Sequence, residues 1–395
     1  MNTRMAAPYP THYRDDENLP NSLYVSGKQV VVHWIEDNAQ LKQCANAWHT
    51  LIALDTEFMR TDTFFPKPGL YQVAFQGEFY LIDPLAIDDW QCFVEVLEDE
   101  TVCKVMHACQ EDLELLVSHL QAQPKNVFDT QLANAFVSPQ YSLSYAALVA
   151  KLLQVDLPKH ETRSNWLKRP LSDEQLVYAA EDVLYLEPLY DVLCEQLSKG
   201  AEQRFDWYQQ DMQQRGQHNQ LLPADYYLNV KKAWQLYGEQ LAALQNLCAW
   251  REQTARDVDV PRNRVVWDDH LYEFAKQKEL NEHFVHKTLP RGVAKKYATL
   301  LCEVHQQGVQ NPEPKKLPKP LTPKQSATVK SMRQYAQRQA EELGMAPELL
   351  ARRKEVEQCV RAFAISGELS ALFNGWRKEV VGDYFLNLLG ATGKA

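Results

Sequence analysis

The chain has 395 residues, of which 45% are hydrophobic and 24% are charged, and its formal net charge is −10. This length and apolar content predict two or three globular domains, and the negative charge argues against a surface coated with nucleic-acid-binding residues, although it allows a local basic face. Eight cysteines without a Cys-x-x-Cys pair argue against a zinc site or a disulfide framework and predict reduced residues in a cytosolic protein.

The N-terminal segment 1–27 is predicted to be a disordered tail. Its first twenty residues have no apolar core and contain Arg14-Asp15-Asp16-Glu17, so the segment is not expected to be a signal peptide. No stretch approaches the ~18 apolar residues that a membrane span requires. We therefore expect a cytoplasmic protein that does not enter a membrane, and no obligate protein partner is evident.

Strand and helix patterns alternate from Lys28 to Asp129. Predicted strands cover residues 29–35, 51–57, 71–75, 79–83 and 102–106. Helical spacing marks residues 36–49 and 90–97, and a further helix is predicted to begin in the stretch 107–116. The turn residues Gln76-Gly77-Glu78 between two strands indicate a hairpin. This order of elements predicts an α/β domain with a mixed sheet packed by helices.

The remainder of the chain is predicted to be almost wholly helical. Ser172 and Gln175 fit a capping box at the start of one helix. Between two further helical regions, the proline-rich and basic segment 311–323 indicates a semi-rigid linker. The predicted modules are an α/β domain over 28–214, an all-α domain over 215–305, a linker over 306–323 and a second all-α domain over 324–395.

Two acidic residues end the predicted strand over 51–57. Asp55 and Glu57 are two positions apart, so their side chains project from the same face of the strand. Like charges held together repel unless a cation lies between them, which makes the pair a candidate half of a divalent-metal site. The alternative is a strand that simply runs into an acidic turn, and the pair alone does not decide between the two.

Two more carboxylates and a tyrosine extend the candidate site. Asp112 lies near the start of the helix after the last predicted strand, and Asp182 follows Tyr178 by one helical turn. If the sheet and both helices converge, the four carboxylates line one cleft that suits two Mg²⁺ or Mn²⁺ ions, and Tyr178 could position an attacking water. Singly, each residue has an ordinary structural explanation, but their order and spacing together are hard to assign to chance.

Three short motifs carry a family resemblance. They are Asp55-Thr56-Glu57-Phe58, His107-Ala108-Cys109-Gln110-Glu111-Asp112 and Tyr178-Ala179-Ala180-Glu181-Asp182. In these motifs the chain resembles the ribonuclease D family, DEDDy 3′-5′ exonucleases with the RNase H-like fold. Asn165 departs from the acidic residue that the family pattern has before Trp166. Residues 244–261 resemble an HRDC domain, and residues 349–379 resemble a second, divergent copy.

The resemblance implies a role for each matching residue. Asp55, Glu57 and Asp182 would hold the metal that activates water, and Asp55 with Asp112 would reach a second metal. Tyr178 would orient the water. Weaker expectations are a contact of the terminal nucleotide with Phe58 and Gln72, and a substrate-binding role for His107, for which a hydrogen-bonded buried histidine is the preferred interpretation.

The implied activity is a 3′-to-5′ exoribonuclease that uses two divalent metals and releases 5′-mononucleotides. Its substrate would be RNA with a single-stranded 3′ end, especially tRNA precursors and other small structured RNAs. The alternatives are a DNA-directed 3′-5′ exonuclease in repair and a non-catalytic nucleic-acid-binding scaffold. The sequence contains no GxxxxGK[ST] loop, which weakens a helicase-linked repair role.

A basic stretch is the candidate phosphate-contacting surface. Residues 311–360 contain ten Lys or Arg and six Glu, against the overall excess of acid. A solvated linker and helix surface is an equally weighted interpretation. The candidate nucleic-acid-binding residues are Lys315, Lys316, Lys319, Lys324, Lys330, Arg333 and Arg338.

Overall fold

The computed structural model describes residues 22–25, 27–158, 164–199, 203–216 and 222–393. The chain folds into two compact units. Unit 1 consists of residues 1–59, 67–218 and 322–395, and unit 2 consists of residues 60–66 and 219–321. The boundary predicted at 324 therefore does not begin a compact unit of its own, because the C-terminal helices fold together with the sheet.

The strands of the described residues all belong to unit 1. They are β1 (Ser22–Val25), β2 (Lys28–Ile35), β3 (Leu51–Met59), β4 (Lys67–Phe75), β5 (Glu78–Ile82), β6 (Cys103–Met106) and β7 (Val127–Asp129). They form one sheet in the order β1-β2-β5-β4-β3-β6-β7, in which β2–β5, β3–β6 and β6–β7 are parallel pairs and the other pairs are antiparallel. The predicted mixed sheet is confirmed.

The helices follow the sequence patterns closely. They are α1 (Asn38–Ala45), α2 (Gln91–Glu98), α3 (Gln110–Leu120), α4 (Thr130–Val137), α5 (Tyr145–Leu153), α6 (Asp173–Leu184), α7 (Leu186–Lys199), α8 (Arg204–Gly216), α9 (Glu239–Asp257), α10 (Arg262–Val265), α11 (Asp268–Ala275), α12 (Glu282–Thr288), α13 (Arg291–Val309), α14 (Pro323–Leu343), α15 (Pro347–Ala351), α16 (Arg353–Ser366) and α17 (Asp383–Gly393). In the part of the chain that is described, no helix combines the length and the apolar character that crossing a bilayer needs.

Two details of the sheet differ from the sequence prediction. The segment 22–25, expected to belong to a disordered tail, is strand β1, because it pairs with β2 and buries Val25 completely. Residues 1–21 of that predicted tail lie outside the described residues. The short edge strand β7 was not predicted, since three residues are too few to show a periodic pattern.

The predicted hairpin is confirmed, and Gln76 and Gly77 both take the positive φ that a two-residue turn between β4 and β5 requires.

A buried polar network holds the C-terminal helices in unit 1. The Arg377 guanidinium donates to Asp211 Oδ1 and Oδ2 at 2.8 and 2.6 Å and, through Nε, to the Leu349 carbonyl at 2.7 Å. Trp376 donates its Nε1–H to the same Asp211 oxygen at 2.9 Å and stacks on Trp207. A charge pair with this many hydrogen bonds tolerates burial, and it joins α8 to the segment before α17.

Unit 2 is helical and has its own apolar core. Phe64, from the short segment that connects β3 to β4, is part of this core, where the guanidinium groups of Arg256 and Arg262 lie 4.9 and 4.6 Å from its ring. The Phe64 and Phe65 amides donate to Asp259 Oδ1 at 2.9 and 3.0 Å. Residues 310–322 form no regular secondary structure, as the linker prediction implies, although α13 runs to Val309, four residues beyond the predicted end of the domain.

Candidate active site

Strand β3 presents two of the four predicted carboxylates. Its first half is buried, and the strand pairs on one side with β6 and on the other with β4, so that Asp55 lies opposite Gln72. The alternation of a strand places Asp55 and Glu57 on one face. The register shifts between Glu57 and Phe58, so a bulge ends the regular pairing directly after the second acid.

Helix α6 brings the third carboxylate to the same place. Its first turn is fixed by the predicted capping box, in which Ser172 and Gln175 exchange hydrogen bonds with each other's backbone. Asp182 and Tyr178 lie one turn apart, and the Tyr178 hydroxyl donates to the Asp182 carboxylate. One carboxylate oxygen each from Asp55, Glu57 and Asp182 lies within 4.8 Å of the other two.

Helix α3 supplies the fourth carboxylate, Asp112. It is buried in the first turn of α3, and Thr56 Oγ1 donates to its Oδ1 at 2.5 Å. Thr56 stands between the two β3 acids and therefore points the other way. Sequence reasoning had not assigned Thr56 a role, although its position in the motif was the available signal. Among the described residues, Asp112 does not belong to the close group of three.

Asp129 fixes the turn that leads into α3. Its Oδ1 accepts hydrogen bonds from the Ala108 amide at 3.0 Å and from two amides of α4, and its Oδ2 accepts from Arg215 at 3.3 Å. Ala108 has a φ of 54°, which is strained for a residue with a side chain. Asp129 thus holds the backbone just ahead of Asp112 and is a positioning residue that the sequence prediction missed.

Burial is the largest cause that raises the pKa of every carboxyl group in the cluster, and repulsion between the acids adds to it at Asp55 and Glu57. Burial, then the charges of Asp112, Asp182 and Glu57, raise the pKa of Asp55 well above its usual range. The same two causes raise the pKa of Glu57 to about 8. Burial raises the pKa of Asp182 to about 7 and that of Asp112 to about 6, although hydrogen bonds from Tyr178 and Thr56 oppose the shifts.

This donor set fits a divalent metal ion. Three carboxylates converge, and among the described residues no Lys or Arg forms an ion pair with any of the four acids. Hard oxygen ligands of this kind suit Mg²⁺ or Mn²⁺, and a bound cation would relieve the repulsion that raises the pKa values. The acidic cluster can therefore hold divalent metal.

The weaker site candidates have different surroundings. Gln72 is fully buried, and neither its amide oxygen nor its amide nitrogen has a hydrogen-bond partner among the described residues. Phe58 is half-buried and pairs with Pro68 at the bulge. His107 has Nδ1 2.9 Å from Thr130 Oγ1 and Nε2 3.1 Å from the Leu143 carbonyl, as the preferred interpretation of a hydrogen-bonded histidine requires.

Trp166 supports Tyr178 from the side. The two rings are 6.1 Å apart, and Trp166 is buried. This packing requires a glycine at position 69, since a Cβ there would lie 2.5 Å from the Trp166 Cβ. The sequence prediction used Trp166 only as a family landmark, and the structure shows that it packs beside Tyr178.

The seven predicted phosphate-contacting residues are all exposed. They do not fall in one compact unit: Lys315, Lys316 and Lys319 belong to unit 2, and the other four belong to unit 1. Lys316 lies 3.3 Å from Glu313, so part of its charge is already matched. The structure is compatible with a nucleic-acid contact at these residues, and that contact stays a prediction.

Similarities to known proteins fit this geometry. A 3′-5′ exonuclease family model matches residues 32–198, and an HRDC domain model matches residues 240–304. The chain is 41% identical over 370 residues to ribonuclease D of Pseudomonas paraeruginosa, covering 91% of this chain and 97% of that protein. It is 33% identical over 352 residues to ribonuclease D of Escherichia coli, covering 86% of this chain and 92% of that protein.

Comparison with solved structures also finds similarity to ribonuclease D. The crystal structure of RNase D from Escherichia coli, described as an exoribonuclease involved in structured RNA processing, has a TM-score of 0.82 and 30% identity with this chain. The similarity covers 91% of this chain and 99% of that one. A protein from Bifidobacterium adolescentis, at 18% identity and a TM-score of 0.62, shares the fold.

Proposed function

The chain belongs to the ribonuclease D family, and from this premise we propose that it trims the 3′ ends of tRNA precursors and other small structured RNAs. As a family member it is a 3′-5′ exoribonuclease, a hydrolase of phosphodiester bonds. The proposal adds that it releases 5′-mononucleotides from single-stranded 3′ ends with two divalent ions, Mg²⁺ or Mn²⁺. The eight free cysteines support the accompanying proposal of a cytoplasmic location.

One observation carries the proposal. Asp55, Glu57 and Asp182 converge without a Lys or Arg ion-pair partner among the described residues, and the Tyr178 hydroxyl is hydrogen-bonded to one of them. A structural cluster of acids would be matched by Lys or Arg, as buried charges usually are. A cluster that lacks such a partner needs a cation from solution, and hydrolysis of phosphodiesters is the chemistry that such sites serve.

Each residue of the site has a proposed role. Asp55, Glu57 and Asp182 would hold one divalent ion, and Asp55 with Asp112 would hold the second, directly or through water. When bound, divalent ions supply positive charge that favours ionisation of water and stabilises the charge that develops on the phosphodiester. Tyr178 orients the attacking water, because its hydroxyl can both donate and accept while Asp182 keeps it in place. Thr56 and Asp129 keep Asp112 and its turn in position.

A time course on 5′-labelled RNA tests the proposal. Single-stranded RNA of about 24 nucleotides and the matching DNA are incubated with Mg²⁺, Mn²⁺ or EDTA. Stepwise shortening of RNA by single nucleotides, blocked by EDTA, is the expected result. Equal degradation of DNA would favour the repair exonuclease, and internal fragments or EDTA-resistant cleavage would contradict the assigned site.

The substrate class needs a second comparison. Precursor tRNA with a short unpaired 3′ trailer should be trimmed to the base of the acceptor stem, whereas a blunt duplex should be a poor substrate, because a cleft site needs an unpaired end. The scaffold alternative is disfavoured because all four carboxylates and Tyr178 are present. The HRDC resemblance of residues 324–395 stays a prediction, although the helices themselves are observed.

A further inference from the structure

Unit 2 contains a cavity of about 470 Å³ that the proposed chemistry does not use. Its walls come from the segment before α9, from α9 itself and from α10 and α11. The volume falls within the roughly 300–1,000 Å³ of small-ligand sites. A cavity of this size can accept one nucleotide unit or a few peptide side chains, and its lining decides between them.

The wall is richer in cations than in acids. Lys231, Lys232, Arg251 and Arg262 face two aspartates, Asp268 and Asp269. Lys232 lies 3.9 Å from Asp269, a distance at which an exposed pair is weak. Among the described residues Lys231 forms no ion pair, so both lysines can serve an anionic ligand.

Arg251 is the most informative member of the wall. It is only 4% exposed, and its Nη1 donates to the Val266 carbonyl at 3.2 Å and to Asp268 at 2.5 Å. Its Nε has no hydrogen-bond partner among the described residues. A buried guanidinium donor without a partner is costly in a folded protein and is usually satisfied by water or by a ligand.

An exposed indole completes the cavity. Trp267 lies on the wall immediately before α11 and is 58% exposed, whereas large aromatic side chains are usually covered. Tyr272 also lines the cavity, with the Lys232 ammonium 5.9 Å from its ring centre. Asn229 and Asn263 add amide groups that both donate and accept hydrogen bonds.

We propose that this cavity is a subsite for one unpaired nucleotide of the RNA strand, upstream of the 3′ end that is being trimmed. The base stacks on Trp267, the two amides contact its edge, and Lys231 and Lys232 contact the adjoining phosphates. An acidic peptide would use the lysines but would leave the indole and the amides without a matching surface. The inference rests on the proposed function, because it takes RNA as the substrate.

The experiment compares two exposed aromatic residues of unit 2 in the full-length protein. Trp267→Ala removes the stacking surface, and Tyr237→Ala is the matched control, because Tyr237 is 70% exposed and does not line the cavity. KM is measured for single-stranded RNAs from a trinucleotide up to about 24 nucleotides. The advantage in KM of the long RNA over the trinucleotide should shrink roughly tenfold in Trp267→Ala and stay unchanged in Tyr237→Ala.

Two further variants separate stacking from charge and from folding. Trp267→Phe keeps an aromatic face and should restore most of the length-dependent advantage, which a merely structural defect would not allow. Lys231→Glu with Lys232→Glu should reduce the salt dependence of KM for the long RNA, since each lost phosphate contact lowers that slope by about one. Thermal melting of each variant confirms that unit 2 is folded.

The outcomes separate this inference from the proposed function. If no RNA is shortened by the wild type, the proposed function has failed. If the wild type shortens RNA and Trp267→Ala behaves as Tyr237→Ala does, the subsite is wrong while the exonuclease stands.

Discussion

Two clusters of acidic side chains in unit 1 differ in what faces the acid. We call Asp211, which faces Arg377 and Trp376, the matched cluster, and Asp55, Glu57 and Asp182 the unmatched cluster. Asp211 is matched twice by Arg377 and once by Trp376, so its charge is neutralised within the fold. Asp55, Glu57 and Asp182 face each other. The second arrangement costs free energy in the isolated chain, which raises the pKa of each carboxyl group, and it becomes favourable when a cation binds.

Unit 2 repeats the first arrangement. Glu252 is fully buried, and both Arg256 and Arg262 form ion pairs with it. The buried Asp211 and Glu252 therefore both have arginine partners on neighbouring turns or on a packed segment. Within the part of the chain that the structure describes, the lack of an arginine partner, more than burial or acidity, distinguishes the candidate metal site.

Removing one acid from the unmatched cluster should have the largest functional effect. Asp55→Asn takes away a ligand shared by both proposed ions, and loss of several kcal/mol of transition-state stabilisation lowers kcat by at least about a thousandfold. The same change removes repulsion, so the melting temperature in EDTA should stay equal or rise. Substantial RNA degradation by this variant with added Mn²⁺ would refute the metal assignment.

Removing Arg377 from the matched cluster should lower stability, whereas removing Asp55 should lower activity. Arg377→Met leaves Asp211 buried beside Trp376 without its counter-charge and should lower the free energy of unfolding by about 3 kcal/mol or more. Urea unfolding measures the loss. The double variant that also carries Asp211→Asn should recover part of it, since the remaining charge is then removed. Equal stability of wild type and Arg377→Met would show that the network is not a structural pair.

Tyr178→Phe tests the role of the Tyr178 hydroxyl, which is hydrogen-bonded to Asp182 in the unmatched cluster. The hydroxyl that orients water is lost while the ring still packs beside Trp166, so kcat should fall roughly a hundredfold with a smaller change in KM. Single-turnover rates at saturating RNA measure the change in the chemical step. A Phe variant with wild-type kcat would remove Tyr178 from the reaction and leave it as a packing residue.

The unmatched cluster is the part of the molecule that the sequence reveals best. Asp55 and Glu57 are two apart on a strand, and Tyr178 and Asp182 are four apart on a helix, so local periodicity alone orients them. Asp211 and Arg377 are matched only by the tertiary fold, because 165 residues separate Asp211 from Trp376 and 166 separate it from Arg377. No local sequence pattern predicts the Asp211–Arg377 pair. For this reason the predicted boundary at 324 divides residues that fold as one unit.

The smallest predicted effect is the pH dependence of stability that Asp112, Asp182 and Glu57 confer. In EDTA, the raised pKa values of Asp112, Asp182 and Glu57, about 6, 7 and 8, mean that the native state binds more protons than the unfolded chain above about pH 5. The free energy of unfolding should therefore fall as pH rises from about 5 to 8.

Melting temperatures measured across this range show the effect directly. We expect a decline of a few degrees in EDTA, and saturating Mn²⁺ should reverse it at the alkaline end, because metal binds the ionised carboxylates and competes with protons. Glu57→Gln should flatten the slope in EDTA, since it removes the group whose pKa is raised to about 8. A stability that rises with pH in EDTA would mean that the cluster is already neutralised within the fold, and the distinction between the two acidic sites would disappear.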